Sequence, residues 1–226
     1  KPVVIKPKST NFGLGITILK HNYDETDFKA ALQIAFEHDN TVLIEKFIPG
    51  REFRIFIIND EVVGILHRVP ANVTGDGVLN IGQLIDRKNE DPLRGKGYRT
   101  PLEKIRKGRE EEMFLKQQGM DFNTVPKERE VVYLRENSNI STGGDSIDFT
   151  DDIDDSYKAI AVEAAKALNV KITGLDMMIQ DIHAPATPDN YAIIEMNFNP
   201  AIHIHCYPFK GKNRHLNHKM IKALGF

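Results

Sequence analysis

A single cysteine, Cys206, stands among 226 residues, so no disulfide can close within the chain. That fits a reducing compartment, and the cytoplasm is the expected location. No apolar run approaches the roughly 20 residues that span a bilayer, and no signal-peptide pattern is present, so no membrane role is expected. Charge of one sign is lacking too. The 30 basic and 32 acidic residues leave a formal charge of -2, which gives no bulk reason to expect nucleic acid as a partner. The phosphate-binding pattern G-x-x-x-x-G-K-[ST] is missing. The chain opens at Lys1-Pro2-Val3 without an initiating methionine and runs straight into a strand, so it reads as a piece of something longer. A hydrophobic content of 41% is enough for a core, in one large or two small domains.

What is present centres on two apolar strands carrying oxygen donors. Tyr191-Ala192-Ile193-Ile194 reads as a buried strand leading into Glu195-Met196-Asn197-Phe198-Asn199-Pro200. The spacing of two puts Glu195 and Asn197 on one face. Gly174-Leu175-Asp176-Met177-Met178-Ile179 carries a carboxylate in its middle. A charge there is costly unless paired or metal-bound. If the strands are neighbours, Asp176, Glu195 and Asn197 form a hard-oxygen cluster suited to magnesium beside a phosphate. The same residues could instead face water or pair with basic groups.

Upstream, Val3-Val4-Ile5-Lys6 reads as a strand ending at Pro7, followed by a small-residue loop with Gly13 and Gly15 and then Ile16-Thr17-Ile18-Leu19, a hairpin plan. Backbone N–H groups of such a loop can cradle phosphate, with Lys6 at its root, or it is an ordinary hairpin. A helix is expected over 23–39 with Phe28, Ala31, Leu32, Ala35 and Phe36 inward and Asp24 or Asn22 as cap. Strands are expected at 41–44, 51–58 and 61–69, the last two turning at Asn59-Asp60. Glu52 and Arg54 then share a face, and Arg68 on the return strand can converge with Arg54. Two arginines together need an anion, or they belong to a salt-bridged surface hairpin.

A charged helical insert is expected around 86–130, as a partner surface or a spacer. Thr100-Pro101-Leu102-Glu103 has the form of a helix start, and a further helix covers 110–118. After a strand at 131–135, residues 136–145 crowd small hydrogen-bonding groups around Gly143-Gly144. They could wrap an anion or make a plain loop. A helix follows over 155–169. His203 and His205 would share a strand-like face, and a zinc site there is disfavoured. A last helix with Leu216, Met220, Ile221 and Leu224 docks on the sheet.

These motifs, in this order, resemble the ATP-grasp superfamily of carboxylate–amine ligases. The resemblance runs through Lys6-Pro7 and the loop to Gly15, Leu43-Ile44-Glu45-Lys46-Phe47-Ile48-Pro49-Gly50-Arg51-Glu52-Phe53-Arg54, the run from Arg68 through Gly77, Asn139-Ile140-Ser141-Thr142-Gly143-Gly144 and Glu195-Met196-Asn197. The Arg68–Gly77 run and Leu93-Arg94-Gly95-Lys96-Gly97-Tyr98 narrow it to the ATP-grasp part of the bacterial bifunctional glutamate–cysteine ligase/glutathione synthetases.

The resemblance implies an α+β ATP-grasp fold: a small lid over 1–58 and a larger mixed or antiparallel sheet over 59–226, with helices on one side and the N-terminal substrate domain missing. It implies ATP and magnesium, or manganese in its place, and the joining of gamma-glutamylcysteine to glycine through an acyl phosphate. A ligase domain of the same polypeptide is an implied partner, and a homo-oligomer is compatible. By resemblance, Lys6, Ser9, Gly13 and Gly15 contact ATP phosphates, Glu45, Lys46 and Ile48 read adenine, and Glu52 holds the ribose. Arg54, Arg68, Asn139 and Gly143 serve the chemistry, and Asp176, Glu195 and Asn197 hold the metal. One departure stands out. Many relatives place an arginine where this chain has Gly174, so Arg54, Arg68 or Arg135 must supply that charge. A cyanophycin synthetase-like ligase and a nucleotide-binding domain without turnover are the alternatives.

Overall fold

The β-branched run Val3-Val4-Ile5 favours extended backbone and forms β1 (Val3–Pro7). In the computed structural model, which describes residues 1–10, 14–20 and 23–226, β1 is the centre of an antiparallel sheet. Its neighbours are β2 (Thr17–Leu19) and β3 (Val42–Lys46). Helix α1 (Glu25–Phe36) starts at Asp24, whose carboxylate accepts from the amides of Thr26 and Asp27 at 2.7 and 3.0 Å, while Asp27 reaches back to the Asp24 amide. Ala31 and Ala35 bury against Ile5, but Phe36 is 53% exposed and leaves the expected stripe. Gly13 and Asn22 lie outside the described residues. These elements form one compact unit, Lys1–Pro49; the second is Gly50–Phe226.

The boundary therefore falls at residue 49, not 58. The reason is β4 (Arg51–Ile58), which is hydrogen-bonded on both sides within the second unit. It turns through Asn59 and Asp60, both with positive φ as a two-residue hairpin requires, into β5 (Glu61–Val69). Next come β6 (Asn72–Thr74), α2 (Ile81–Lys88), the short parallel pair β7 (Arg94–Gly95) and β8 (Leu102–Glu103), α3 (Arg109–Gln117) and β9 (Val131–Tyr133). β6 pairs with β9, and the segment closes on its own core of Val73, Ile81, Ile85, Ile105, Leu115 and Val132. Met113 on α3 stays outside that core and is 52% exposed.

The expected helix start at Thr100-Pro101 is β-structure instead. Backbone pairing of Leu102 to Leu93 and of Lys104 to Gly95 claims the segment. The Glu103 carboxylate, which would have closed the helix cap, accepts from the amides of Gly97 and Tyr98.

The main sheet is completed by β10 (Asp145–Asp148), β11 (Ile172–Ile179) and β12 (Tyr191–Asn197), and its order is β10-β5-β4-β11-β12 with every pair antiparallel. Strand alternation sends Phe53, Ile55, Ile57, Ile65, Leu175 and Met177 to one face, under α4 (Asp155–Ala167) and its Tyr157, Ala161 and Ala165. The other face is also covered in part. Phe56, Ile58 and Val63 pack with α5 (His203–Cys206) and α6 (Leu216–Ala223) through Cys206 and Leu216. Helices thus lie on both faces, not one, and His203 and His205 stand on a helix, not a strand. Cys206 is buried with a long Sγ contact to Asn217. Among the described residues no helix is long and apolar enough to cross a membrane.

Candidate active site

The polar face of the sheet begins where the cover from α5 and α6 ends. Register places Arg54 opposite Asp176 and Asp176 opposite Glu195, so the three form one row across β4, β11 and β12. Glu52 on β4 and Arg68 on β5 lie on the same face one pleat away. A bulge in β12 makes this row. Asp176 faces Glu195 while Met177 faces Ile193, leaving Ile194 as the extra residue and turning Glu195 and Asn197 toward Asp176. The bulge and the edge position also correct the expected burial: Ile193 and Ile194 are 41% and 44% exposed.

Asp176 is 2% exposed and held by two guanidiniums. Arg54 donates through Nε to Oδ1 and through Nη2 to Oδ2 at 2.9 Å, and Arg68 Nη2 donates to Oδ2 at 3.1 Å. Burial alone would push the Asp176 carboxyl up. The hydrogen bond from Arg54 and the charges of Arg68 and Arg54 outweigh it and hold the pKa below the ordinary value. The anion that brings the two arginines together is thus this aspartate, with Glu52 as a second partner of Arg68. Ser138 Oγ donates to the other oxygen of Glu52, a contact with no sequence signal beyond a serine in a polar loop. Arg135, the third candidate for the missing charge, is tied to Glu110 and Glu111.

The departure at Gly174 has a steric account. A Cβ there would stand 2.8 Å from Pro200 Cβ and 3.0 Å from Arg54 Cδ. The Arg54 side chain crosses the space that a side chain at 174 would take, so the charge enters from the adjacent strand. Gly174→Ala is expected to lower stability by about 1–3 kcal/mol through overpacking, read as a shift in the urea midpoint. An unchanged midpoint would contradict that close fit.

Asn197 Nδ2 lies 3.2 Å from Glu195 Oε1 and 3.5 Å from Asp176 Oδ2, donating between two carboxylates. Among the described residues no group of three or more His, Cys, Asp or Glu forms a metal cluster. The donor set is two carboxylates and one amide. It still fits a hard cation, because a flip of the Asn197 amide turns Oδ1 toward the same point and makes all three donors oxygens. Within the cluster three carboxylates, Glu52, Asp176 and Glu195, face two guanidiniums, and the remaining negative charge favours a cation.

The 136–144 loop borders this cluster. Residues Ile140–Thr142 form a 3-10 turn, the amides of Thr142 and Gly144 donate to the Asn139 carbonyl, and Gly143 adopts φ 94°. In the first unit, Lys6 pairs with Glu45 at 2.7 Å across β1 and β3. The Ser9 amide donates to Asp39, Gly15 lies in the turn before β2, Lys46 ends β3 opposite Val3, and the Phe47 amide donates to Pro2, with Ile48 just beyond.

Residues 1–80 match the family described as D-ala D-ala ligase C-terminus. Over all 226 residues the chain is 63% identical to the glutathione biosynthesis bifunctional protein of Desulfotalea psychrophila, and over 98% of its length it is 58% identical to that of Clostridium perfringens. The crystal structure of a bifunctional glutathione synthetase from Pasteurella multocida superposes with a TM-score of 0.76 at 48% identity, covering 99% of this chain and 31% of that one. The chain is a homologue of one segment of these bifunctional proteins. It has their ATP-grasp fold. It spans 29% of the length of the first relative and 28% of the second, so it matches under a third of each.

Proposed function

We propose that the polypeptide carrying this segment is an ATP-dependent ligase that joins gamma-glutamylcysteine to glycine, giving glutathione, ADP and phosphate. The observation that carries the reading is the Arg54–Arg68–Asp176–Glu195–Asn197 cluster, in a chain 63% identical throughout to a protein named for glutathione biosynthesis. A carboxylate does not condense with an amine unaided. Transfer of the γ-phosphoryl group makes an acyl phosphate, the glycine amine attacks its carbonyl carbon, and phosphate leaves.

Arg54 and Arg68 supply fixed positive charge for the oxygens of the phosphoryl group in flight. A magnesium ion held by Asp176, Glu195 and Asn197 would neutralise and orient the phosphates, and manganese would serve the same donors. Lys6 is assigned to ATP phosphates and Glu52 to the ribose. Ser9, Gly13 and Gly15 are assigned to the phosphate flap, and Glu45, Lys46 and Ile48 to adenine. The 139–144 loop, with Asn139 and Gly143, is assigned to the reacting carboxylate. The smaller unit is read as the lid subdomain. The remainder of the polypeptide is read as holding the glutamate–cysteine ligase, and the lone thiol fits a cytoplasmic setting.

Glu195→Gln in the full-length protein keeps the shape of an exposed residue while removing one charge from the cation site. Glycine-dependent phosphate release is expected to fall more than about a hundredfold with the melting temperature nearly unchanged. Wild-type turnover of this variant at saturating magnesium would refute the assignment.

A further inference from the structure

The charged insert around 86–130 reads in sequence as a spacer or partner surface, yet one of its side chains reaches the 139–144 loop. The Arg94 side chain is fully buried. Its Nη1 donates to the Glu103 carbonyl at 2.9 Å and to the Gly143 carbonyl at 3.0 Å, and its Nη2 meets Asp145. The Phe209 ring lies over the guanidinium with its centroid 5.4 Å away. Asp145 is held in turn by Lys88 Nζ at 2.7 Å and Asn72 Nδ2 at 3.0 Å. One planar fork therefore ties the insert to β10 and to the last residue of the 139–143 turn.

Gly143 packs closely against Ile105 beside that fork. At φ 94° only glycine sits comfortably, and a Cβ would stand 2.8 Å from Ile105 Cα. Ile105 is itself pinned by Asn89, which donates to its carbonyl and accepts from its amide at 2.9 and 2.8 Å. The far end of the same loop reaches Glu52 through Ser138.

We propose that Arg94 is a positioning residue for the 139–144 loop, so that the insert sets the geometry with which that loop meets the reacting carboxylate of gamma-glutamylcysteine. The inference rests on the reading of the loop given above. Lysine cannot replace the fork, because one ammonium on a flexible stem does not span Asp145 and both carbonyls.

The test uses the full-length protein with Arg94→Lys, which keeps the charge opposite Asp145. Phe209→Leu, which removes only the covering ring, is run beside it in case the first variant does not fold. Arg94→Lys should raise KM for gamma-glutamylcysteine about tenfold and leave KM for ATP within about twofold. Hydrogen exchange at the Thr142 and Gly144 amides should quicken at least tenfold while β4 and β11 stay protected. Phe209→Leu should show the same selectivity at about threefold. Equal rises in both KM values, or loop amides that exchange as in the wild type, would overturn the proposal. If the wild-type protein forms no amide from gamma-glutamylcysteine and glycine, the ligase reading fails instead, and the exchange result still decides whether Arg94 holds the loop.

Discussion

Arg54→Ala is expected to destabilise the protein by about 3 kcal/mol and to slow the chemical step more than it weakens ATP binding. The stability loss follows from burial. Arg54 and Asp176 are 8% and 2% exposed, and removing one member of a buried ion pair typically costs about 3–5 kcal/mol because the other is left uncompensated. Arg68 still holds Asp176 Oδ2, which places the effect at the lower end. For a chain of this length that is a fall of about 10 °C in Tm. Packing and charge can be separated. Arg54→Met fills the channel beside Gly174 without a charge, and Arg54→Met combined with Asp176→Asn should cost less than the sum of the two single changes, because neither partner is then stranded. In kinetics, a group that acts on the moving phosphoryl oxygens lowers kcat and leaves KM for ATP nearly intact. A loss of ATP affinity with normal kcat would contradict the assignment, and a stability change under about 1 kcal/mol would contradict the buried pair.

The polar row was legible in the sequence because strand periodicity is simple. Spacings of two placed Glu52 with Arg54 and Glu195 with Asn197, and the structure keeps both pairs together. Which strands are neighbours is not in the local pattern. Asp176 meeting Arg54 depends on β4 and β11 pairing across 122 residues; the family resemblance implied a metal for Asp176 and phosphoryl chemistry for Arg54, not their contact. The bulge at Ile194 was invisible as well. A strand with one extra residue reads as an unbroken apolar run, which is why Ile193 and Ile194 were expected inside.

Elsewhere a local signal lost to a tertiary one. Thr100-Pro101-Leu102-Glu103 has sound helix-start chemistry, but Glu103 answers the Gly97 and Tyr98 amides and its backbone pairs with Arg94–Gly95. The same two-residue ladder brings Arg94 to the Gly143 carbonyl. An arginine between Leu93 and Gly95 carries no mark of burial in the sequence, so its link to the site emerges only from the fold. His205 was likewise read on a strand-like face, and the structure puts it on a short helix and wholly buried.

Lowering the pH from neutral toward 5 is expected to lower Tm by about 10 °C, and His205→Leu should remove a large part of that slope, which is shared with His67 and with His203, whose pKa burial also lowers. His205 has no exposed surface and neither ring nitrogen has a hydrogen-bond partner. It stacks edge-on against Phe56 with centroids 5.4 Å apart, and a Cβ on Gly64 would stand 2.8 Å from its Nδ1. Burial, reinforced by the charge of Arg54 and only partly countered by Asp148, pushes its pKa down to about 3. His67, between Phe53 and Phe149 with Nδ1 against the Glu52 carbonyl, is pushed down to about 4 by burial and by Arg51. Both are neutral in the folded protein at pH 5, whereas in the unfolded chain they take up a proton below about pH 6.5. The unfolded state then binds more protons, and stability falls as pH drops. The two contributions are fully present above pH 6.5 and are lost progressively down to the folded pKa values. At pH 5 the loss is about 2 kcal/mol for each histidine, and at about 2–4 °C per kcal/mol the sum gives the stated fall. Lowered carboxylate values such as that of Asp176 act mainly below this window, under their ordinary value of 3.8, so they do not obscure it. A Tm that stays level between pH 7 and 5, or a His205→Leu slope equal to that of the wild type, would show that His205 is already protonated inside the fold.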